Sequence, residues 1–250
     1  MKNFYKINAP EILKVSIQEC GEELLDIKKR CKNVRVATGK ECPQIHSAAS
    51  SFARKTVTEK LCKAQSCLPD GIKFKILEGY RPVSIQKKIF KERMAYLKKQ
   101  NPKWNEERLF RETAVFVAPW ENTPPHSTGG AIDLTLVAKK GKELVMGTNF
   151  KDVYGDVYDD SCFTDAEVSK EAKSNRKILI DALTRAGFVN YPAEWWHWSY
   201  GDRYWAFLKK KRFAIYGSVK EKGGSNVKLR VSVSKGSPNK NHPTRRRVCS

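Results

Sequence analysis

Long apolar runs, a leader-like start and internal repeats are all missing from this sequence of 250 residues. No run of about 18 apolar residues occurs, so we expect neither a membrane-spanning helix nor a membrane partner. The first 15 residues lack the apolar core and the small-residue cleavage site of a secretory signal, which predicts a cytoplasmic protein. The length suffices for one sizeable domain or two small ones that fold without disulfides or metals as supports.

The seven cysteines are scattered along the chain, and none forms a C-x-x-C pair. Such usage in a long chain predicts reduced thiols in a cytosol rather than a disulfide framework. Cys42 and His46 are close enough in sequence to share a metal ion. The alternative, that they are unrelated loop residues, is favoured because no further ligand pattern accompanies them.

The net charge of +21 is concentrated towards the C-terminus. From residue 209 to residue 250 the chain has 13 lysines or arginines and a single acid, Glu221. Residues 220–250 are therefore predicted to form a basic, flexible tail behind a folded domain of residues 1–219. The tail has two further interpretations, contact with an anionic surface or with nucleic acid. A solvated extension is favoured, because no nucleic-acid-binding motif accompanies the charge.

Strand and helix signals alternate without a regular βαβ rhythm, which favours an α+β domain with a central, mostly antiparallel sheet and helices packed against it. The N-terminal signal of one helix is the capping box formed by Thr164 and Glu167, and Gly187 marks its end. The other helices are expected at 12–29, 46–67, 85–99 and 105–117. Strands are expected at 34–37, 74–77, 131–137, 143–146 and 195–200.

His126 lies in the segment PPHSTGGAIDLTL, directly before a predicted strand. The two prolines before it and the two glycines after it exclude a helix. Because side chains alternate in a strand, Asp133 shares one face with Ala131 and Thr135, and the aliphatic residues between them form a core face. A carboxylate among small residues, with a histidine on the loop that leads into the strand, is suitable geometry for binding a metal at two points.

His197 lies in a second unusual segment, EWWHWSYGDRYW. Alternation places His197 on one face with Trp195 and Ser199. Glu194, three residues earlier, would point to the opposite face of an ideal strand. For Glu194 to act beside His197, it must therefore lie at the strand entry or at a bulge, and Pro192 just upstream is consistent with an irregular entry.

Each of these signals is weak when it stands alone, since a single histidine is more often a buried or surface residue and an aromatic cluster is usually core. Their combination indicates a catalytic zinc site. His126, Asp133 and His197 supply three ligands for one zinc ion per chain and leave a fourth position open. Glu194 is then a base that accepts a proton from the activated water.

The segment EGYRP places Arg81 between a predicted strand and Pro82. A guanidinium on rigid backbone can donate two N–H groups to an oxyanion and stays charged at any working pH. The alternative for Arg81 is a surface arginine that pairs with Glu78, and it becomes the weaker interpretation once a zinc site is accepted.

Three segments, EGYRP, HSTGGAID and EWWHWSYGDRYWA, resemble in this order the VanX-type D-alanyl-D-alanine dipeptidases, a branch of the zinc D,D-peptidases. The resemblance extends from roughly residue 17 to residue 219 and includes LPDGIKF, MGTNF and FAIYG. It implies an α+β fold whose central sheet carries a zinc site. It also implies a small substrate, D-Ala-D-Ala or a similar D,D-dipeptide, that is cut into two amino acids.

The resemblance implies a role for each residue that matches the family motifs. His126, Asp133 and His197 would bind zinc. Glu194 would act as the general base and then protonate the leaving amine, and Arg81 would stabilise the tetrahedral oxyanion.

Substrate contacts are implied for Asp152 and Ser127, and here the sequence departs from the family. Members often have a serine two residues before the first histidine, where this chain has Pro124. The family aspartate that holds the free amine follows a phenylalanine directly, whereas Lys151 separates Phe150 from Asp152. The chemistry is therefore predicted more firmly than the substrate.

Two alternatives to a cytoplasmic dipeptidase remain. A related zinc carboxypeptidase or endopeptidase would act on cell-wall peptides, and a basic tail would then suit an anionic wall. A zinc-stabilised binding module would use the tail to hold nucleic acid without turnover. The presence of Glu194 and Arg81 argues against this module, because a structural zinc site needs neither.

Overall fold

The structure, a computed structural model, describes residues 4–39, 41, 48–148 and 160–220. Its strands are β1 (Leu24–Asp26), β2 (Arg35–Val36), β3 (Phe52–Arg54), β4 (Lys73–Glu78), β5 (Ala131–Val137), β6 (Val189–Tyr191) and β7 (Glu194–Ser199). Its α-helices are α1 (Pro10–Leu13), α2 (Ile27–Arg30), α3 (Lys55–Gln65), α4 (Val83–Gln100), α5 (Glu106–Thr113), α6 (Lys170–Arg185) and α7 (Arg203–Leu208). Short 3₁₀ turns occur at Ala48–Ser51, Trp120–Asn122, Pro125–Thr128, Lys139–Gly141 and Asp160–Cys162.

The central sheet has five strands in the order β2-β4-β5-β7-β6. Only β2 and β4 run parallel, and every other neighbouring pair in this sheet is antiparallel. Strands β1 and β3 form a separate antiparallel pair. The predicted α+β class, with a mostly antiparallel central sheet, is confirmed.

Strand β5 is the centre of the sheet and is buried along its whole length. Its aliphatic side chains at 132, 134 and 136 belong to the main core, together with Leu179 and Leu183 of α6. The predicted core face is therefore confirmed, and the opposite face of β5 is left to present Asp133.

Two irregularities in strand pairing lie on either side of Asp133. In the β4–β5 ladder Ile76 pairs with Leu134, but the next pair is Glu78 with Asp133, so β4 holds one extra residue. In the β6–β7 ladder Asn190 pairs with Trp198, but Tyr191 pairs with Glu194. Bulges of this kind change the direction of a side chain, and they are common beside functional sites.

The long helix α6 begins later than the sequence predicted. Its N-cap is Ser169, whose hydroxyl accepts a hydrogen bond from the Ala172 N–H at 3.2 Å. The predicted capping box is wrong, because the Thr164 hydroxyl donates instead to the Asn190 side chain. The predicted end is confirmed, since Gly187 follows the last turn with a φ of +92°.

Three further expectations about secondary structure need correction. The region 12–29 is not one helix, because α1 ends at Leu13, Gly21 has a left-handed φ of +74° and β1 then pairs with β3. Within 46–67, α3 begins only at Lys55, after β3. The stretch 143–146 forms only an isolated bridge between Val137 and Glu143.

Cys31 and Cys62 form a disulfide that joins the segment after α2 to α3, with Cα atoms 5.3 Å apart. The expectation that the thiols are reduced is wrong for this pair, because the packing of α2 on α3 brings together two cysteines that are distant in sequence. Cys20 and Cys67 are exposed free thiols. Among the described residues no helix is long and apolar enough to cross a membrane.

Candidate metal centre and its cavity

His126 lies in the 3₁₀ turn that precedes β5, where Pro125 occupies the first turn. The turn ends at Gly129, whose φ is +71° and where a Cβ atom would lie 2.5 Å from the Leu24 side chain, so only glycine suits this position. The Nδ1 atom of His126 lies 2.9 Å from the Gly79 carbonyl. Donation from Nδ1–H to this carbonyl leaves Nε2 as the acceptor, and Nε2 points towards Asp133.

Asp133 and His197 lie on neighbouring strands and are directly paired in the ladder of β5 and β7. Glu78 of β4 is paired with Asp133 on its other side. The sheet therefore places three polar side chains in one row across three strands. All three are buried, with exposed fractions of 2% for Glu78, 2% for Asp133 and 3% for His197.

Three potential ligand atoms converge at the end of this row. His197 Nδ1 lies 2.9 Å from Asp133 Oδ1, and His126 Nε2 lies 3.2 Å from the same oxygen. The two nitrogens are 3.1 Å apart. Tetrahedral ligands at zinc distances stand about 3.3–3.4 Å from one another, so two imidazoles and a carboxylate fit such an ion and leave a fourth position open.

The charges of Asp133 and His197 suit a metal-binding set, whereas the raised pKa of His126 favours its protonated form, which does not bind metals. Burial acts to raise the pKa of Asp133, but the neighbouring His126 and the hydrogen bonds from both histidines outweigh it and hold this pKa well below its usual range. Burial lowers the pKa of His197, which favours the neutral imidazole. The pKa of His126 is raised, because Asp133 outweighs the effect of burial. An ionised carboxylate and a neutral imidazole are the forms in which these groups bind metals.

Glu194 is the first residue of β7, and its Oε2 atom lies 3.8 Å from His197 Nδ1. The side chain of Asn190 holds the irregular stretch in place by donating to the carbonyls of Glu194 at 3.2 Å and His197 at 3.0 Å. The predicted geometric condition, a break in alternation before His197, is confirmed. Burial and then repulsion from Asp133 raise the pKa of Glu194 well above its usual value.

Arg81 is held by two buried side chains. Its Nε atom donates to Glu78 Oε1 at 2.8 Å, its second terminal nitrogen pairs with Glu78 Oε2, and NH1 donates to Gln86 Oε1 at 2.8 Å. Gln86 in turn donates from Nε2 to the Ala118 carbonyl at 2.7 Å. The pairing with Glu78 therefore occurs, but the arginine is only 6% exposed and is not a surface residue.

One cavity of about 50 Å³ brings the candidate residues together. Both histidines, Asp133, Glu194 and Arg81 line it. The remaining wall contains apolar and polar residues, among them Gln86, Ile89, Val117, Pro124, Tyr191 and Trp196. This arrangement places a carboxylate and a guanidinium around three potential metal ligands, which suits the attack of water on a carbonyl group.

Two residues, Ser127 and Asp152, were predicted to contact the substrate. Ser127 is fully buried, does not line the cavity, and its hydroxyl has no hydrogen-bond partner among the described residues. Asp152 lies outside the described residues. Pro124, where the family often has serine, does line the cavity.

Sequence reasoning missed three residues that shape the site: Gln86, Asn190 and Tyr191. Gln86 had a usable signal, since it lies one helical turn after Pro82 at the start of a predicted helix and so faces back towards Arg81. Asn190 and Tyr191 gave no signal, because their roles depend on the irregular pairing of β6 with β7.

The chain matches one family model and is similar to several known proteins. The peptidase M15 family model, described as D-ala-D-ala dipeptidase, matches residues 25–215. The chain is 25% identical over 236 residues to the D-alanyl-D-alanine dipeptidase of Synechocystis sp., covering 83% of this chain and 96% of that protein. It is 39% identical over 72 residues to the D-alanyl-D-alanine dipeptidase of Escherichia coli (strain K12), covering 29% of this chain and 35% of that protein. Among solved structures it is similar to VanYB in complex with D-alanine-D-alanine, with a TM-score of 0.39, 16% identity, and coverage of 72% of this chain and 94% of that one.

Proposed function

Since the chain belongs to the D-Ala-D-Ala dipeptidase family of peptidases, we propose that it is a zinc-dependent enzyme that hydrolyses D-alanyl-D-alanine, or a similar short D,D-dipeptide, to free amino acids. The observation that carries the proposal is the convergence of His126, Asp133 and His197 in a cavity that Glu194 and Arg81 also line. A purely structural metal site would need neither the base nor the cation.

The three converging side chains would hold one zinc ion. A zinc ion in such a site lowers the pKa of its water from 15.7 to about 7 and polarises a carbonyl group. Asp133 supplies the negative charge of the set, and His126 is oriented by its bond to the Gly79 carbonyl.

Glu194 would accept the proton of the attacking water on Oε2 and then deliver it to the leaving amine. A base works best when its pKa lies near the working pH, and the raised pKa of Glu194 moves the group in that direction. Its position beside His197 Nδ1, at 3.8 Å, places it next to the ligand set rather than within it.

Arg81 would stabilise the oxyanion that forms on the substrate carbonyl. The bonds to Glu78 and Gln86 fix the guanidinium plane before substrate binds, so little reorganisation is required during the reaction. The small size of the cavity and its apolar wall favour small side chains such as the methyl group of alanine.

A panel of D,D-, L,D- and L,L-dipeptides, assayed with and without a chelator, tests this proposal. We expect free D-alanine from D-Ala-D-Ala, no activity after chelation, recovery with added zinc, and about one zinc ion per chain. Activity on a pentapeptide but not on the free dipeptide would instead identify a carboxypeptidase of the cell wall. Full activity in chelator would refute the metal-dependent mechanism.

The cytoplasmic location stays a prediction, and the Cys31–Cys62 disulfide bears on it because reducing compartments keep most thiols reduced. Fractionation of cells after rapid alkylation of thiols would test both points. Recovery of the protein in the cytoplasmic fraction would support the predicted location, and protection of Cys31 and Cys62 from alkylation in that fraction would show that the disulfide persists there.

A further inference from the structure

His197 has two ring nitrogens, and both lie close to other polar side chains. Nδ1 lies 2.9 Å from Asp133 Oδ1 within the ligand set. Nε2, on the other side of the ring, lies 3.4 Å from the Ser199 hydroxyl. Which nitrogen carries the proton decides whether Nδ1 can bind a metal ion.

Ser199 and Asp202 follow His197 in sequence and are almost completely buried, with exposed fractions of 0% and 1%. Asp202 Oδ1 accepts a hydrogen bond from the Trp205 N–H at 2.9 Å and so caps α7. Asp202 Oδ2 has no hydrogen-bond partner among the described residues. A carboxylate with one unsatisfied oxygen is costly to bury, so capping alone does not explain it.

Asp26 shows what a helix cap requires in this protein. It caps α2 in the same way, accepting from the Lys28 N–H at 3.0 Å, but it is only half-buried. Ser169, a neutral residue, caps the longer helix α6. Neither a charge nor complete burial is therefore needed for capping, and Asp202 has both features beside a metal-site histidine.

Asp202 interacts electrostatically with the histidines of the site. Burial raises the pKa of this carboxyl, whereas hydrogen bonds from the Trp205 N–H and the Ser199 side chain, together with the nearby His197, act to lower it. Ser199 is thus a polar group that interacts with both His197 and Asp202.

We propose that Ser199 and Asp202 are positioning residues of the metal centre. The Ser199 hydroxyl accepts the Nε2–H of His197 and orients its own proton towards Asp202. This arrangement keeps Nδ1 unprotonated and directed at Asp133. The inference rests on the proposed function, because it presumes that a metal ion binds at Nδ1.

The test is the zinc affinity of the purified full-length chain, measured by competition with a chromogenic chelator. Ser199→Ala and Asp202→Asn should each weaken zinc binding by about 10–100-fold, as expected when a partner of a metal-bound histidine is removed. The amide of Asp202→Asn still accepts from Trp205, so the cap remains. Asp26→Asn is the matched control and should bind zinc as the wild type does.

The possible results separate the inference from the function. Wild-type affinity in both variants would overturn the inference and leave the proposed function intact. A loss with Asp202→Asn but not with Ser199→Ala would refute the connection through Ser199. A wild-type chain that binds no zinc would refute the proposed function itself, and the inference with it. Thermal unfolding of the metal-free proteins, in which Ser199→Ala should melt close to the wild type, detects a general folding defect.

Discussion

Strand β4 contributes to two charged clusters that are built in opposite ways. In its middle, the ammonium group of Lys75 lies between two carboxylates, 2.7 Å from Glu143 and 3.2 Å from Glu41. In this first cluster only Lys75 is buried, because the side chains of Glu143 and Glu41 are 38% and 27% exposed. At the end of β4, Glu78 adjoins the candidate metal centre, where the carboxylates of Asp133 and Glu194 lie in one cavity and repel each other. The first cluster holds a cation between its carboxylates, whereas in the second the repulsion between Asp133 and Glu194 persists although Arg81 lines the same cavity.

The pKa values of Glu41 in the first cluster and Glu194 in the second are shifted in opposite directions. Burial acts to raise the pKa of Glu41, but hydrogen bonds from Thr38 and Lys75 outweigh it and lower the pKa to about 2. At the other cluster the pKa of Glu194 is raised, because burial and Asp133 act in the same direction. An ionised Glu41 therefore stabilises the fold, while an ionised Glu194 is available for chemistry at the expense of stability.

The largest contrast is expected between the two cations. Arg81→Lys should lower kcat by about 10²–10³-fold, because a lysine cannot keep the bonds to Glu78 and Gln86 and still direct donors at an oxyanion. Lys75→Met is the matched variant and should leave kcat unchanged. Steady-state kinetics with D-Ala-D-Ala measure both. Equal losses of activity would mean that the two clusters are not functionally distinct.

A smaller effect on activity is expected for Gln86→Leu, which frees one side of the Arg81 guanidinium. We expect kcat to fall by about 10-fold while KM changes little, since misplacing a catalytic group affects mainly the transition state. Gln65 is a second buried glutamine, which accepts from the Phe74 N–H at 2.7 Å far from the cavity. Gln65→Leu should therefore lower the melting temperature but not kcat, and a reversed pattern would contradict the role of Gln86.

The two carboxylates should respond to pH in opposite directions. The pKa of Glu41 is lowered from 4.5 to about 2 on folding. Its ionised carboxylate therefore stabilises the folded protein above pH 4.5, and this stabilisation is lost as the pH falls through about 2. The pKa of Glu194 is raised above 4.5 on folding. Its protonated carboxyl therefore stabilises the folded protein at low pH, and this stabilisation is lost as the pH rises through the pKa of the folded state.

At pH 8, in metal-free protein, Glu41→Gln should therefore lower the free energy of unfolding by about 1 kcal/mol, and Glu194→Gln should raise it by a similar amount. Urea unfolding at pH 8 and pH 4 measures both. The stabilisation from Glu194→Gln should shrink at pH 4. Destabilisation by Glu194→Gln at pH 8 would show that its carboxylate is not under strain in the fold.

The smallest effect is expected from removing the basic tail. Val219 still contacts the site region, because its N–H donates to the Ser127 carbonyl at 2.8 Å, whereas residues 221–250 lie outside the described residues. Truncation after Val219 should leave kcat and zinc content unchanged. A gel-shift assay of both forms tests the tail separately, since binding of nucleic acid that is lost with the tail would give it a role of its own.

The sequence predicted the site where local rules suffice. Alternation along β5 gave both the core face and the position of Asp133, and the prolines and glycines around His126 gave the loop. Strict alternation would point Glu194 away from His197, so the sequence requires a bulge or a strand entry at this position only if Glu194 acts beside His197. The Asn190 side chain fixes this break in alternation by donating to the Glu194 and His197 carbonyls. Its role depends on the pairing of β6 with β7, so no pattern in the local sequence indicates it.

Tertiary contacts account for the predictions that failed. Thr164 has the spacing of a helix cap, but its hydroxyl is engaged by Asn190, 26 residues away. The Cys31–Cys62 disulfide depends on how α2 packs on α3, which the spacing of cysteines does not reveal. The substrate contact of Ser127 stays a prediction, although its side chain is buried and does not line the cavity.

The most direct test of the mechanism measures zinc content and D-alanine release in the same samples of wild type and Glu194→Gln. The mechanism predicts about one zinc ion per chain in both proteins, and turnover of D-Ala-D-Ala lowered by about 10²–10⁴-fold in the variant, because the ligand set is intact and the base is gone. Wild-type turnover by a zinc-loaded Glu194→Gln protein would contradict the assignment of Glu194 as the base.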